Sequence, residues 1–176
     1  MYSAIVRRIV RRGFRALSTG DYEQVLRQFH QQVIFSFAGP PPLGGEHAGV
    51  GAVREWFQRL YSYFPGIQFT VKQVVVQGWP WNTLVATRLS IAAPRLDGSI
   101  YGNEAVQFLR LRWGQVVEDR LYEDTFKLDR ELQQRLSQKE GAEAHESLEG
   151  SCELRPSAIG LHRSHETNKK LDEHSA

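Results

Sequence analysis

Four stretches decide the fold: residues 67–77 (IQFTVKQVVVQ), 83–92 (TLVATRLSIA), 100–112 (IYGNEAVQFLRLR) and 115–124 (QVVEDRLYED). Each is rich in β-branched and aromatic side chains, which suit a pleated, half-buried surface, and each is bounded by turn chemistry. Residues 78–82 carry Pro80, Asp97-Gly98 is a tight-turn pair, and Trp113-Gly114 breaks the last two stretches. The spacing predicts long sequential hairpins, and therefore a curved antiparallel sheet.

Towards the N terminus the period changes. Val53, Trp56, Phe57, Leu60, Tyr61 and Phe64 recur at helical spacing and predict a helix that ends near Pro65-Gly66. A loop rich in Pro and Gly, 39–51, separates it from a first strand in which Val33, Phe35 and Phe37 alternate with Ile34 and Ser36. Asp21 followed by Gln24 makes a capping-box start for a second helix, with Tyr22, Val25, Leu26 and Phe29 as its buried stripe. Ser18-Thr19-Gly20 closes a first helix, where Val6, Val10, Phe14 and Leu17 lie on one stripe and Arg8, Arg11, Arg12 and Arg15 on the other. The arginines, with no acid before Asp21, also have the composition of a transit peptide, but two clean stripes read as an amphipathic helix of the domain. Its basic face suits anionic membrane or nucleic acid as well as water. Three helices followed by hairpins define an α+β class with the helices packed on one face of the sheet.

Composition bounds the rest. A chain of 176 residues, 41% apolar and 11% aromatic, has material for one sizeable core. With 22 Lys and Arg against 20 Asp and Glu there is no global field, so no nucleic-acid partner is expected. Cys152 is the only cysteine, which excludes an intrachain disulfide and a paired-thiol zinc site. No run approaches the roughly 20 apolar residues of a membrane-spanning helix, and a cytoplasmic location is the expectation. From Ser137 onward the apolar residues thin out and no period persists, so the chain is read as a domain, 1–136, followed by a disordered polar tail, 137–176. His162 and His165 in that tail lack supporting ligands and are read as solvated, with no metal site.

The order of elements, together with Thr19-Gly20-Asp21, Pro42-Leu43-Gly44-Gly45, Phe64-Pro65-Gly66, Asp97-Gly98 with Tyr101 and Asn103, and GQVVE at 114–118 leading to YEDT at 122–125, resembles the SnoaL-like branch of the nuclear-transport-factor-2-like superfamily. The resemblance covers most of residues 5–128. It implies a cone-shaped curved antiparallel sheet, cystatin-like in class, closed by the three helices of the N-terminal half. It also implies a small apolar metabolite held inside, and frequently a homodimer made through the open sheet face. Relatives include polyketide cyclases, ketosteroid isomerases, epoxide hydrolases and proteins that only bind, so function rests on the site.

The resemblance to the cyclases places an acid/base aspartate at the end of the last strand, which here is Asp124. A carboxyl in an apolar cavity has its charged form disfavoured, which suits it to moving a proton next to a carbonyl. The competing reading is a strand cap or an ion pair with Arg120 or Lys127. By strand parity Tyr122 shares the face of Asp124, and Asn103 shares one with Gln107. Facing inward, Asn103 and Gln107 would hydrogen-bond a ligand carbonyl and Arg88 would supply positive charge; facing outward, they would be solvated and ion-paired. Trp56, Tyr61 and Phe64 are read as core and pocket wall. The interior Asp-Arg-Asp of the epoxide hydrolases is missing, because Asp97 falls in a turn and no second strand aspartate is assigned beside Arg88. The isomerase tyrosine and aspartate are missing too, with Gly13 and Phe37-Ala38 near their places. His30 is read at the end of the second helix and His47 in the 39–51 loop at the mouth, both outside the strands that would form the site. No phosphate-cradling or nucleophile motif appears, and no cofactor is expected. The alternative to a cyclase- or isomerase-like activity is a non-enzymatic binding or interaction module.

Overall fold

The computed structural model describes residues 1–152, with side chains through residue 138. Residues 153–176, most of the expected polar tail with His162 and His165, lie outside the described residues.

Helix α1 (Tyr2–Ser18) buries Val6, Val10, Phe14 and Leu17, the stripe that the sequence spacing marks. Gly20, at φ 81, turns the chain, and the Asp21 carboxylate accepts the Gln24 amide at 3.2 Å to open α2 (Tyr22–Leu26). That helix is only five residues long, because the chain enters β1 (Phe29–Ala38) at once. His30 therefore lies in a strand rather than at a helix end. The Pro/Gly loop contains a short strand, β2 (Gly45–Ala48), ahead of α3 (Gly49–Tyr63), which buries Val53, Trp56, Phe57 and Leu60. Strands β3 (Gln68–Trp79), β4 (Asn82–Pro94), β5 (Ile100–Arg112) and β6 (Gln115–Glu123) follow as successive antiparallel hairpins.

The six strands form one curved, unclosed sheet in the order β2-β1-β6-β5-β4-β3. The antiparallel expectation is amended at one seam, since β1 runs parallel to β6, with Phe35 beside Asp119. A parallel pair needs a long crossover, and everything from α3 to β5 supplies it. Along β4 the burial alternates strictly, with Val85, Thr87, Leu89, Ile91 and Ala93 turned to the core.

A fourth helix, α4 (Thr125–Cys152), was not expected. Its first turns dock through Leu128 and Leu132, 3% and 0% exposed, and through Glu131, which receives Arg95 and Arg135 at 2.7 Å each. Arg135 also donates to the carbonyls of Tyr63 and Pro94 and lies 4.7 Å over the ring of Phe64.

Candidate functional site

A cavity of about 130 Å³ lies between α1 and the inner face of the sheet. Val6, Val10, Phe14 and Leu17 roof it, Phe29, Leu109, Leu111 and Val116 floor it, and Ile5 and Ile9 stand at its exposed rim. Gln107 of β5 and Asp119 of β6 are the polar side chains in its sheet wall.

Asp119 is 3% exposed. The Gln107 side-chain amide donates to its Oδ2 at 2.9 Å, whereas Oδ1 is buried with no hydrogen-bond partner among the described residues. Burial pushes the carboxyl up to about 8, against the smaller opposing effect of the Gln107 hydrogen bond. Near neutral pH it is therefore mostly a neutral acid, with one oxygen left without a partner in a residue of the cavity wall.

A bulge aims this residue. Leu111 pairs with Val116 while Arg110 pairs with Glu118, so Val117 is skipped and the parity of β6 changes there. Val116 faces the cavity, and so does Asp119 three residues on, while Glu118, Arg110 and Arg120 form ion pairs on the other face. Glu123, on the inner side beyond Asp119, reaches a separate void of about 30 Å³ beside Trp56, Tyr101 and Leu121. That space is the size of one or two waters and too small for an organic ligand. Burial, and then the charge of Asp124, push Glu123 up to about 8.

The expected site residues divide sharply. Gln107 lines the cavity. Asn103 is buried but fully committed: it donates to the Tyr101 hydroxyl at 2.9 Å and the Asp124 carbonyl at 3.1 Å, and accepts the Glu104 amide at 2.9 Å. Trp56 is core; its indole N–H donates to the Leu43 carbonyl at 2.8 Å. Tyr61 donates its hydroxyl to the Leu17 carbonyl and ties α3 to α1, and burial pushes that hydroxyl up.

Three residues expected inward lie elsewhere. Arg88 pairs with Glu104 at 3.1 Å on the outer face, where both side chains are more than half exposed. Tyr122 packs edge-on against Phe108 on that same face. Asp124 accepts the Lys127 amide at 3.2 Å as the cap of α4, sits 3.8 Å from the Lys127 ammonium, and has a side chain 45% exposed. Asp119 is not marked by strand parity, which without the bulge has nothing to choose between the two faces of β6; its sequence signal is its place between the apolar Val116 and Leu121. Among the described residues no cluster of ligands fits a metal ion.

The pattern of the SnoaL-like domain matches residues 10–119. This chain belongs to the SnoaL-like family. Solved relatives share the fold at low identity. A nuclear-transport-factor-2-like protein of Burkholderia pseudomallei superposes with a TM-score of 0.62 at 16% identity, over 72% of this chain and 95% of its own. A Jannaschia protein assigned as a SnoaL-like polyketide cyclase gives 0.54 at 23%, over 70% and 88%. TerC, co-crystallised with polyporic acid, gives 0.56 at 17%, over 69% and 92%. No curated protein sequence matches the chain.

Proposed function

We propose that this SnoaL-like protein binds a small apolar, carbonyl-bearing metabolite in the α1 cavity and moves a proton on it with Asp119. The carrying observation is a buried carboxyl with one oxygen oriented by Gln107 and the other unpartnered in an otherwise apolar wall. Ionised, Oδ1 takes a proton from the carbon next to the carbonyl. Returning it at another carbon isomerises the ligand. If the enolate carbon instead attacks a second carbonyl of the same molecule, Asp119 returns the proton to the new alkoxide and a ring is closed. An acid titrating near 8 has the basicity for this step close to neutral pH. The enclosed volume of about 130 Å³ is of the order that holds a single ring, so larger ligands would extend past Ile5 and Ile9 through the mouth.

The test is turnover of candidate β-dicarbonyl and cyclic enone substrates by Asp119→Asn, which keeps the shape and loses the proton. Turnover should fall roughly 10²-fold or more while binding survives. Full activity in that variant would leave a ligand carrier, the second reading, which the largely apolar remainder of the cavity supports.

The outer sheet face supports a homodimer. Phe108, Tyr122, Val106 and Leu84 are 37–44% exposed there, and such a face is commonly buried. Sedimentation at micromolar concentration should give twice the chain mass; a monomer would remove the dimer from the proposal.

A further inference from the structure

The mouth of the cavity opens in a surface that the proton-transfer reading does not use. Three tryptophans crowd the tips of two adjacent hairpins. Trp79 and Trp81 stack at 5.8 Å, their planes 6° apart, and Trp113 lies 6.3 Å from Trp81. They are 64%, 55% and 75% exposed. The Trp113 amide donates to the Pro80 carbonyl at 2.7 Å, tying one turn to the other, and Trp113 holds a left-handed φ of 52. The indoles are thus presented by a fixed scaffold rather than by free loops.

The start of α1 joins the same end, because the Tyr2 hydroxyl shares a 2.6 Å hydrogen bond with Thr83, two residues from Trp81. Beside its buried stripe, α1 carries a second one, Ile5, Arg8, Ile9 and Arg12, at i, i+3, i+4 and i+7. Ile5 and Ile9, 52% and 42% exposed, line the cavity together with Gly114, the neighbour of Trp113. All five arginines of α1 are exposed, and among the described residues none has an ion pair, whereas Arg88, Arg110 and Arg120 on the strands are each matched to a glutamate. No Asp or Glu occurs in residues 1–20, 76–84 or 108–117, which supply α1 and the two hairpin tips.

We infer that this end of the domain docks on an anionic lipid bilayer. The indoles sit at headgroup depth, Ile5 and Ile9 enter the acyl boundary, and the α1 arginines meet lipid phosphates. Charge complementarity selects an anionic partner, and the exposed aliphatics select lipid. Single-stranded nucleic acid also uses arginine and indole, but Trp79 and Trp81 cover one face each on one another, and Ile5 and Ile9 have nothing to do against a base or a phosphate. The cavity mouth then faces the acyl phase, so an apolar ligand enters without crossing water. None of this depends on Asp119.

The test is flotation of the full chain with phosphatidylcholine vesicles, with and without phosphatidylserine, read beside tryptophan emission. Binding should be confined to the anionic vesicles, weaken with added salt and shift emission to the blue. Arg8→Gln/Arg12→Gln should weaken it about 30-fold, at roughly 1 kcal/mol per arginine. Trp81→Ser/Trp113→Asn, with Asn tolerating the left-handed turn, should weaken it roughly tenfold or more. No flotation of the wild type, equal binding to neutral vesicles, or variants that float like wild type would each overturn the inference. So would tighter binding to a single-stranded oligonucleotide than to anionic vesicles. The wild-type comparison decides by itself if a variant does not fold.

Discussion

Two acids are almost fully buried among the described residues, and they are compensated in opposite ways. Glu131 on α4, 2% exposed, is held between Arg95 and Arg135, both at 2.7 Å. Asp119 on β6, 3% exposed, lines a cavity and has no cation and one amide donor, its other oxygen being without a partner among the described residues. The first is a fastener, its charge compensated and its lone pairs occupied. The second is compensated only by keeping its proton, which is a property a ligand can exploit. Burial alone does not mark a site; burial without a partner beside an open space does.

The contrast breaks most readily at Glu131. Glu131→Ala should cost about 3–5 kcal/mol, because it leaves two guanidinium groups in a partly buried seam without their carboxylate. A loss under about 1 kcal/mol by urea unfolding would show that Leu128 and Leu132 hold α4 without it.

The same contrast predicts opposite pH behaviour. Folded, Asp119 keeps its proton up to about pH 8; unfolded, it releases it near 3.8. Between those values the native state binds more protons. The contribution of Asp119 to stability is therefore fully present below the lower value and is lost as pH rises through the upper one, at up to about 1.4 kcal/mol per unit. Glu123, moved from 4.5 to about 8, slopes the same way. Thermal melts across pH 4 to 9 should show wild type losing stability with pH and Asp119→Asn losing about half as much, the rest being left by Glu123. Parallel curves would mean that the carboxyl is already compensated in the fold.

Asp124 gives the smallest effect and the sharpest control. Asp124→Ala removes a cap worth about 1 kcal/mol, or roughly 3 °C for a domain of this size, and should leave turnover unchanged. A large loss of turnover at Asp124 with none at Asp119 would reverse the assignment.

Much of this architecture is legible in the chain. The strands could be read because β-branched runs stop at Gly, Pro and Asp-Gly turns, and α1 and α3 because their apolar stripes are continuous. The inner face of β6 could not, since a bulge at Val117 changes parity without any mark in composition. Nor could α4: Leu128 and Leu132 stand four apart in a polar segment, and half of what docks it is an ion pair that resembles solvated surface. Arg88 and Tyr122 lie outward for a related reason, since the outer faces of these strands also carry apolar side chains, Leu84, Val106 and Phe108 among them, and composition alone does not mark which face is enclosed.

The parallel seam between β1 and β6 has a consequence for biosynthesis. β6 is the centre of the sheet, yet it is the last strand made, and its neighbour β1 is among the first elements to leave the ribosome. Until β6 emerges, β1 with its hairpin partner and the β3–β5 meander are two fragments with unpaired edges, and closure of the sheet waits for the most distant pairing in the chain. Asp119 travels on that closing strand, so the nascent polypeptide shields this acid from water only at the step that completes the sheet.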